Sequence, residues 1–197
     1  MRTRLLMAVI VMILTVNTCH ASWLIYHKPE FKGKIVDLET HEPIERAVVV
    51  VIYRIATYGP GDTVISDLHA QEALTDKNGE FRIPPYTTFI EPLSTSDVAE
   101  FIIFKPGYIC NGPSLLEDEF SGDGKRDWVS SAKWDNKIKY RILKSGIVMS
   151  PKIVTGRDRI ESFRNVSISR FEKELPLASK IIRDEHTIVM NLTCIGE

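Results

Sequence analysis

The residues that most resemble a metal site lie in the stretch EALTDKNGEFRI, residues 72–83. Asp76, Asn78 and Gly79 match the third, fifth and sixth positions of an EF-hand calcium loop. The first ligand position would then be Leu74 and the bidentate position Pro85, and neither side chain can bind calcium. The alternative is a tight turn in a hairpin, in which Asp76 accepts backbone hydrogen bonds and Gly79 is left-handed. The spacing favours the turn, and we predict no metal or cofactor.

A second candidate is a zinc pair at the start of the chain. His27 and Glu30 have the H-x-x-E spacing of two ligands in some zinc hydrolases. A catalytic zinc needs a third ligand and a general base, and His186 is the distant histidine available to complete the set. A zinc-dependent hydrolase is therefore only a remote alternative, and we predict no catalytic residues.

Aromatic side chains are the remaining candidates for ligand contact. Trp128 and Trp134 lie in a polar stretch that contains glycine. Exposed, roughly coplanar rings there would suit a carbohydrate-binding module, whereas buried rings would only anchor the loop. The chain has no G-x-S-x-G, Walker or C-x-x-C motif. These observations favour a protein that is not an enzyme.

The first residues have the pattern of an export signal. Arg2 and Arg4 precede an apolar run at 5–16, whose length of about a dozen residues is typical of a signal peptide and short for a membrane span. Cleavage after Ala21 predicts a periplasmic or extracellular protein. Alternatively, the residues that end at Cys19 resemble a bacterial lipobox, which predicts a lipid anchor on Cys19. We expect membrane contact only through the signal or such an anchor.

Two cysteines follow the predicted signal, Cys110 and Cys194. An oxidising compartment permits a disulfide between them, which would tie the end of the chain to the domain. Two separate buried thiols are the alternative, and the sequence leaves both open.

The charge balance speaks against nucleic acid as a partner. The net charge is −1, and it becomes more negative when Arg2 and Arg4 leave with the signal. Nucleic-acid binding usually requires a clustered basic face. The length of 197 residues fits one domain with additions.

The periodicity of the chain predicts a mainly β protein. Residues 47–55, AVVVVIYRI, form a strand that is apolar on both faces and is therefore central in its sheet. Turn residues mark 56–69 as a loop, and a long polar loop is predicted at 111–136. Short strands are expected on either side of the turn near Gly79, with further strands at 98–108 and 137–153.

The end of the chain changes to a helical pattern. From about residue 155, Ile160, Phe163 and Phe171 recur at helical spacing. Residues 186–194 are rich in β-formers, so helix and strand compete there. We expect a C-terminal extension that is partly helical.

Three separated motifs resemble the carboxypeptidase regulatory-like domain family over residues 31–110. They are GKIVDLETHEPIERAVVVV, TDKNGEFRI and FIIFKPGY. The matching residues are Gly33, Asp37, Thr40, Pro43, Ile44, Ala47, Val49, Thr75, Asp76, Gly79, Phe81, Gly107 and Tyr108. The resemblance implies an antiparallel, transthyretin-like Greek-key sandwich without a catalytic site.

Together these observations predict a signal peptide at 1–21, a β-sandwich domain at 22–154 and a C-terminal extension at 155–197. The predicted function is non-catalytic binding of a protein or cell-envelope partner. A carbohydrate-binding module is the alternative.

Overall fold

The computed structural model describes residues 24–116, 130–134, 137–143, 146–163 and 168–195. Within these ranges the chain is mainly β. In order, the strands are β1 Ile25–Lys28, β2 Phe31–Asp37, β3 Val48–Tyr58, β4 Thr63–Leu74, β5 Glu80–Ile83, β6 Tyr86–Phe89, β7 Ser94–Ser96, β8 Glu100–Phe104, β9 Asn111–Leu116, β10 Ser130–Trp134, β11 Lys137–Leu143 and β12 Ile147–Ser150. The helices are α1 Gly156–Phe163 and α2 Pro176–Ile195, with a 3-10 turn at Ser169–Phe171 between them.

The strands form two five-stranded sheets and a ribbon. The first sheet has the order β10-β11-β12-β2-β5. The second has the order β4-β3-β8-β9, with β7 also pairing with β3, and β1 pairs with β6 as the ribbon. All pairs are antiparallel except β2 with β12, which run parallel, with Lys34 opposite Ile147. The expected antiparallel pattern therefore has one exception. Parallel strands require a long connection, and the chain between β2 and β12 is long enough to provide it.

The two sheets enclose the main core. The Phe31 ring of the first sheet meets the Phe101 ring of the second edge to face, with centroids 5.1 Å apart. Such contacts stabilise a core beyond the burial of the rings themselves. Buried residues from both sheets surround this pair: Ile35, Val49, Val51, Tyr53, Phe81, Ile83, Ile103 and Val148.

The C-terminal segment covers the other face of the second sheet. Val48, Val50 and Ile52 of β3 are buried on that face, where they belong to a second apolar cluster with Leu175. The central position predicted for β3 is confirmed, since it lies between β4 and β8. Its two apolar faces therefore have different partners, the opposing sheet and the helical extension.

The ambiguous end of the chain is helical. Helix α2 continues to Ile195 through the stretch rich in β-formers. It begins at Pro176, a residue suited to the first helical position. Ala178 and Val189 are buried against the second sheet while Ile188 and Met190 are exposed, so packing of one helical face decides the conformation. In the described ranges, neither helix is long and apolar enough to cross a bilayer.

Strands occupy both ends of the segment 111–136, which was predicted to be one long loop. Strands β9 and β10 occupy 111–116 and 130–134, and residues 117–129 lie outside the described part. Both strands lie at sheet edges, where glycine, proline and polar residues are tolerated because one side of the backbone needs no strand partner. The polar composition was therefore a poor guide to a loop.

The loop predicted at 56–69 is also largely strand. Strand β3 continues to Tyr58 and β4 begins at Thr63, so only residues 59–62 connect them. Gly61 adopts a φ of +95° in this connection. The two strands pair along their whole length, with a bulge after Tyr53, and form a long hairpin.

Candidate functional site

The turn at Asp76 has a structural role. The Asp76 Oδ1 atom accepts the N–H groups of Asn78 at 2.8 Å and Glu80 at 2.9 Å. Gly79 has a φ of +74°, and a Cβ there would collide with the Ile35 carbonyl oxygen. The predicted roles of Asp76 and Gly79 are confirmed. The predicted hairpin is wrong, because β4 pairs with β3 and β5 with β2, so the turn joins two sheets.

The residues of the zinc hypothesis have other partners. The His27 Nδ1 atom lies 2.8 Å from the Thr87 hydroxyl. Glu30 forms ion pairs with Lys32, at 2.6 Å, and with Arg82, and hydrogen bonds from these two residues lower its pKa. His186 is exposed on α2. Among the described residues, no group of three His, Cys, Asp or Glu side chains is placed to hold a metal ion.

The remaining predicted site residues lie mostly outside the described part of the chain. This applies to Cys19 and Trp128. Trp134 ends β10, where only the backbone is described. The lipid anchor and the aromatic platform therefore stay predictions.

The two cysteines of the predicted disulfide lie just before β9 and in the last turn of α2. Cys110 is buried in the apolar cluster between the second sheet and the C-terminal segment. Cys194 lies in the last turn of α2, and its side chain is outside the described residues. The disulfide also stays a prediction.

Asp37 holds three chain segments together at the end of β2. Its carboxylate accepts the N–H groups of Glu39 and Thr40, the Tyr108 hydroxyl at 3.1 Å and the Lys152 ammonium at 3.2 Å. Burial alone raises the pKa of this carboxyl, but the four donors outweigh burial and the pKa falls to about 2. Asp37 is therefore ionised across the physiological range and stabilises the fold.

Apolar side chains are exposed at the end of the β3–β4 hairpin. We call this surface the apolar tip and define it by Tyr58, Val64, Ile65 and Leu93, each more than half exposed. The Tyr58 N–H donates to the Leu93 carbonyl at 2.9 Å, which places Leu93 beside the hairpin. Large apolar side chains that are exposed together at one end of a hairpin can mark an interaction site. The apolar tip is the candidate functional site.

The β1–β6 ribbon adds a second apolar feature. Phe89 is 81% exposed and lies directly opposite the half-exposed Ile25 in the ribbon register. At the other end of the ribbon, the Tyr86 ring stacks on Tyr53 at 4.8 Å and on His69 at 4.6 Å. This stack fixes the ribbon against β3 and β4.

The apolar tip belongs to a part of the chain without basic residues. Residues 55–66 and 84–98 contain Asp62, Glu91 and Asp97 but no Lys or Arg. Within these two segments, the charged side chains that accompany the apolar ones are therefore all negative.

Acidic residues also outnumber basic ones where β3, β4 and β8 adjoin this surface. Arg54 pairs with Asp67 at 3.2 Å and with Glu100, and Arg170 pairs with Asp67 at 3.3 Å. Burial raises the pKa of Glu100, while the Arg54 guanidinium lowers it. The carboxylates of Asp67 and Asp97 raise it further. The local electrostatics therefore favour a cationic partner.

The far part of β4 is occupied by the C-terminal segment. The Ala70 N–H donates to the Glu174 carboxylate at 3.2 Å, and His69 Nδ1 lies 2.6 Å from the same carboxylate. The Glu72 carboxylate accepts the N–H groups of Leu177 and Ala178, each at 2.8 Å. These contacts fasten α2 and the residues before it along the outer edge of β4.

Sequence reasoning did not identify the apolar tip. It interpreted Val64 and Ile65 as loop residues because Gly59-Pro60-Gly61 precedes them. The available signal was the adjacent pair of β-branched residues after a short turn cluster, which is typical of a hairpin strand.

Comparison with known proteins adds no relative. No family model, no curated protein and no solved structure matches this chain.

Proposed function

We propose that this chain is a non-catalytic, exported β-sandwich domain that binds a protein or cell-envelope partner. The observation that carries the proposal is the apolar tip, whose four side chains remain exposed although the fold buries apolar residues on both faces of β3. An apolar surface on a hairpin whose strands are already paired can be covered by a partner with less ordering of the backbone.

Charge favours a protein partner over a lipid surface. Asp62, Glu91 and Asp97 accompany the tip without any basic residue in the same segments. Anionic lipid headgroups would be repelled by these carboxylates, since membrane association of surface segments depends on Lys and Arg. A protein surface with apolar and basic side chains complements the tip.

The finer fold assignment belongs to the same proposal. We infer a transthyretin-like Greek-key sandwich of the carboxypeptidase regulatory-like kind. It is supported by the course of the chain, which passes from the first sheet at β2 to the second at β3 and β4 and returns at β5. It is also supported by Asp37 and Gly79, two residues of the motifs, which make contacts at the chain reversals.

Site-specific photo-crosslinking in cells that produce the full chain tests the function. A photoreactive residue replaces Tyr58 in one variant and Ile65 in another, and exposed Lys77, beyond the far end of β4, is the control position. We expect one defined adduct from both tip positions, none from residue 77, and its loss in Val64→Asp.

Other results would contradict the proposal. Equal adducts from residue 77, or adducts that persist in Val64→Asp, would show that the tip is not the binding surface. Retention of the whole chain in the cytoplasm would contradict export. Binding to insoluble polysaccharide that depends on Trp128 and Trp134 would favour the carbohydrate alternative.

A further inference from the structure

We propose that the outer edge of β4 at Thr63–Ser66 binds its partner by strand addition, and that the added strand is apolar and basic. This inference rests on the proposed function and specifies how the apolar tip engages its partner. In strand addition, main-chain hydrogen bonds to a free sheet edge provide affinity and alternate side chains provide selectivity.

The backbone directions follow from the hydrogen bonds of β3. The Tyr58 N–H donates to Leu93, and the Arg54 carbonyl accepts from Asp97, so these residues of β3 direct their backbone groups away from β4. In an antiparallel pair, a residue opposite such a position also directs its groups away from its partner strand.

The register identifies the outward-facing residues of β4. Thr63 lies opposite Tyr58, and Ile65 lies opposite Ala56. Ala56 is two positions from both Tyr58 and Arg54, so its backbone groups also point away from β4. The Thr63 N–H is bonded to Asp62 Oδ1 at 2.7 Å. Within the described residues, the N–H and C=O of Ile65 have no protein partner and point to the outer edge.

The C-terminal segment covers one half of the outer edge of β4, and the other half is uncovered in the described part of the chain. Arg170, Glu174 and the start of α2 contact β4 from Asp67 to Glu72. In the described part of the chain, no strand pairs with the outer edge of β4 from Thr63 to Ser66.

The open half lacks the features with which proteins usually protect an edge. Natural edge strands carry lysine, proline or a bulge that prevents further pairing. Thr63–Ser66 contains none of these residues, and the bulge of the hairpin lies beyond Asp67. Val64 and Ile65, both more than half exposed, provide apolar side chains on the two faces of the strand.

Charge favours a different strand over a second copy of this chain. Two copies would have to pair about a two-fold axis at Val64 or at Ile65, so that outward-facing residues lie opposite one another, and neither register provides a Lys or Arg beside Asp62. A strand with apolar residues at its centre and Lys or Arg at its ends would instead meet the Asp62 carboxylate favourably.

Amide exchange and peptide titration of the full chain test the proposal. In the free protein, the Ile65 N–H should exchange rapidly, while the Val64 N–H, which faces β3, should be protected. A short synthetic peptide with valine at its centre and lysine at its ends should protect Ile65 and shift the amide signals of Thr63–Ser66. A matched peptide of valine and glutamate should do neither.

Variants at Ile65 separate the backbone contribution from that of the side chain. Ile65→Pro removes the outward N–H and leaves the bonds to β3, and we expect it to weaken binding of the valine–lysine peptide about tenfold. Ile65→Thr keeps the N–H and should weaken binding less. Far-UV circular dichroism checks that both variants fold, and the exchange measurement needs no variant.

Several outcomes would overturn strand addition by a basic strand. These are equal binding of both peptides, signal shifts outside Thr63–Ser66, undiminished binding by Ile65→Pro, or a protected Ile65 amide in the free monomer. Sedimentation that shows a dimer abolished by Ile65→Pro would assign the edge to a second copy. If the cross-links at Tyr58 and Ile65 persist while the peptides fail, the proposed function stands and this inference falls.

Discussion

The Glu72 carboxylate of β4 accepts the backbone N–H of Ala178 in the first turn of α2, across a sequence separation of 106 residues. The Leu177 N–H donates to the other oxygen of the same carboxylate. The first N–H groups of a helix have no partner within it, and the helix dipole favours negative charge at that end. A strand residue therefore caps the helix and fixes it on the second sheet.

Replacing Glu72 should loosen α2 from the sheet. We expect Glu72→Ala to lower the free energy of unfolding by about 1–2 kcal/mol, because two amides lose their acceptor. Urea denaturation measures the change, and hydrogen exchange should show faster exchange at Leu177 and Ala178.

The exposed Glu80 offers a matched control for charge. Glu80→Ala should change stability by less than about 0.5 kcal/mol. If both variants lose the same stability, the capping contact contributes nothing specific.

Gly79→Ala should destabilise the turn between the sheets. The left-handed conformation costs an alanine about 1–2 kcal/mol, and the added Cβ collides with the Ile35 carbonyl. We expect a total loss above about 2 kcal/mol in chemical denaturation. Gly61→Ala isolates the conformational cost, because no described atom lies within 4 Å of its Cβ position.

Gly79→Ala also tests the calcium alternative, by comparison with the wild type. The melting temperature of the wild type should be equal in calcium and in chelator, and Gly79→Ala should lower both values alike. A rise in melting temperature with calcium that is lost in Gly79→Ala would instead support calcium binding at Asp76.

Asp37 should make the stability of the protein depend on acid pH. Its pKa is about 2 in the fold against 3.8 ordinarily, which corresponds to stabilisation on the order of 2 kcal/mol. Because the folded-state pKa is depressed, this contribution is complete above the ordinary pKa and is lost as pH falls through 3.8 towards 2.

Asp37→Asn should remove that dependence. We expect the variant to be less stable at neutral pH and to approach the wild type near pH 2, in urea denaturation followed from neutral to acid pH. Parallel curves for the two proteins at every pH would show that the Asp37 carboxylate does not stabilise the fold through its charge.

Arg159 and Glu185 join α1 to α2 through an ion pair whose carboxylate is buried and whose guanidinium is partly exposed. Two hydrogen bonds of 2.8 Å connect them, and the Glu185 side chain is 3% exposed. Glu185→Ala should cost about 1.5–3 kcal/mol, because the partly exposed guanidinium loses two charge-assisted hydrogen bonds. The double variant Arg159→Met, Glu185→Leu should be more stable than Glu185→Ala alone, and thermal unfolding that ranks them in the opposite order would contradict this account.

Local patterns predicted the parts of the fold that depend on short-range chemistry. The two apolar faces of residues 48–52 indicated a central strand, which is confirmed. Asp76 and Gly79 indicated a tight turn, which is confirmed, and Phe81 just after the turn is buried in the core. In each case the residue types within a few positions determine the outcome.

Long-range partners could not be predicted from those patterns. The β-formers at 186–194 are helical because the sandwich offers α2 an apolar face, which a local window does not contain. Val64 and Ile65 became strand residues through pairing with β3. The apolar tip could therefore be identified only after the strands were placed.

The parallel contact between β2 and β12 has a consequence for the order of folding. Lys34 lies opposite Ile147, so the edge of β2 is completed only after 113 further positions of the chain have been made. Pairings so distant in sequence slow folding because a long loop must close first. A nascent chain that stops before β12 leaves β2 open on that side. The first sheet is therefore completed late in the synthesis of the chain.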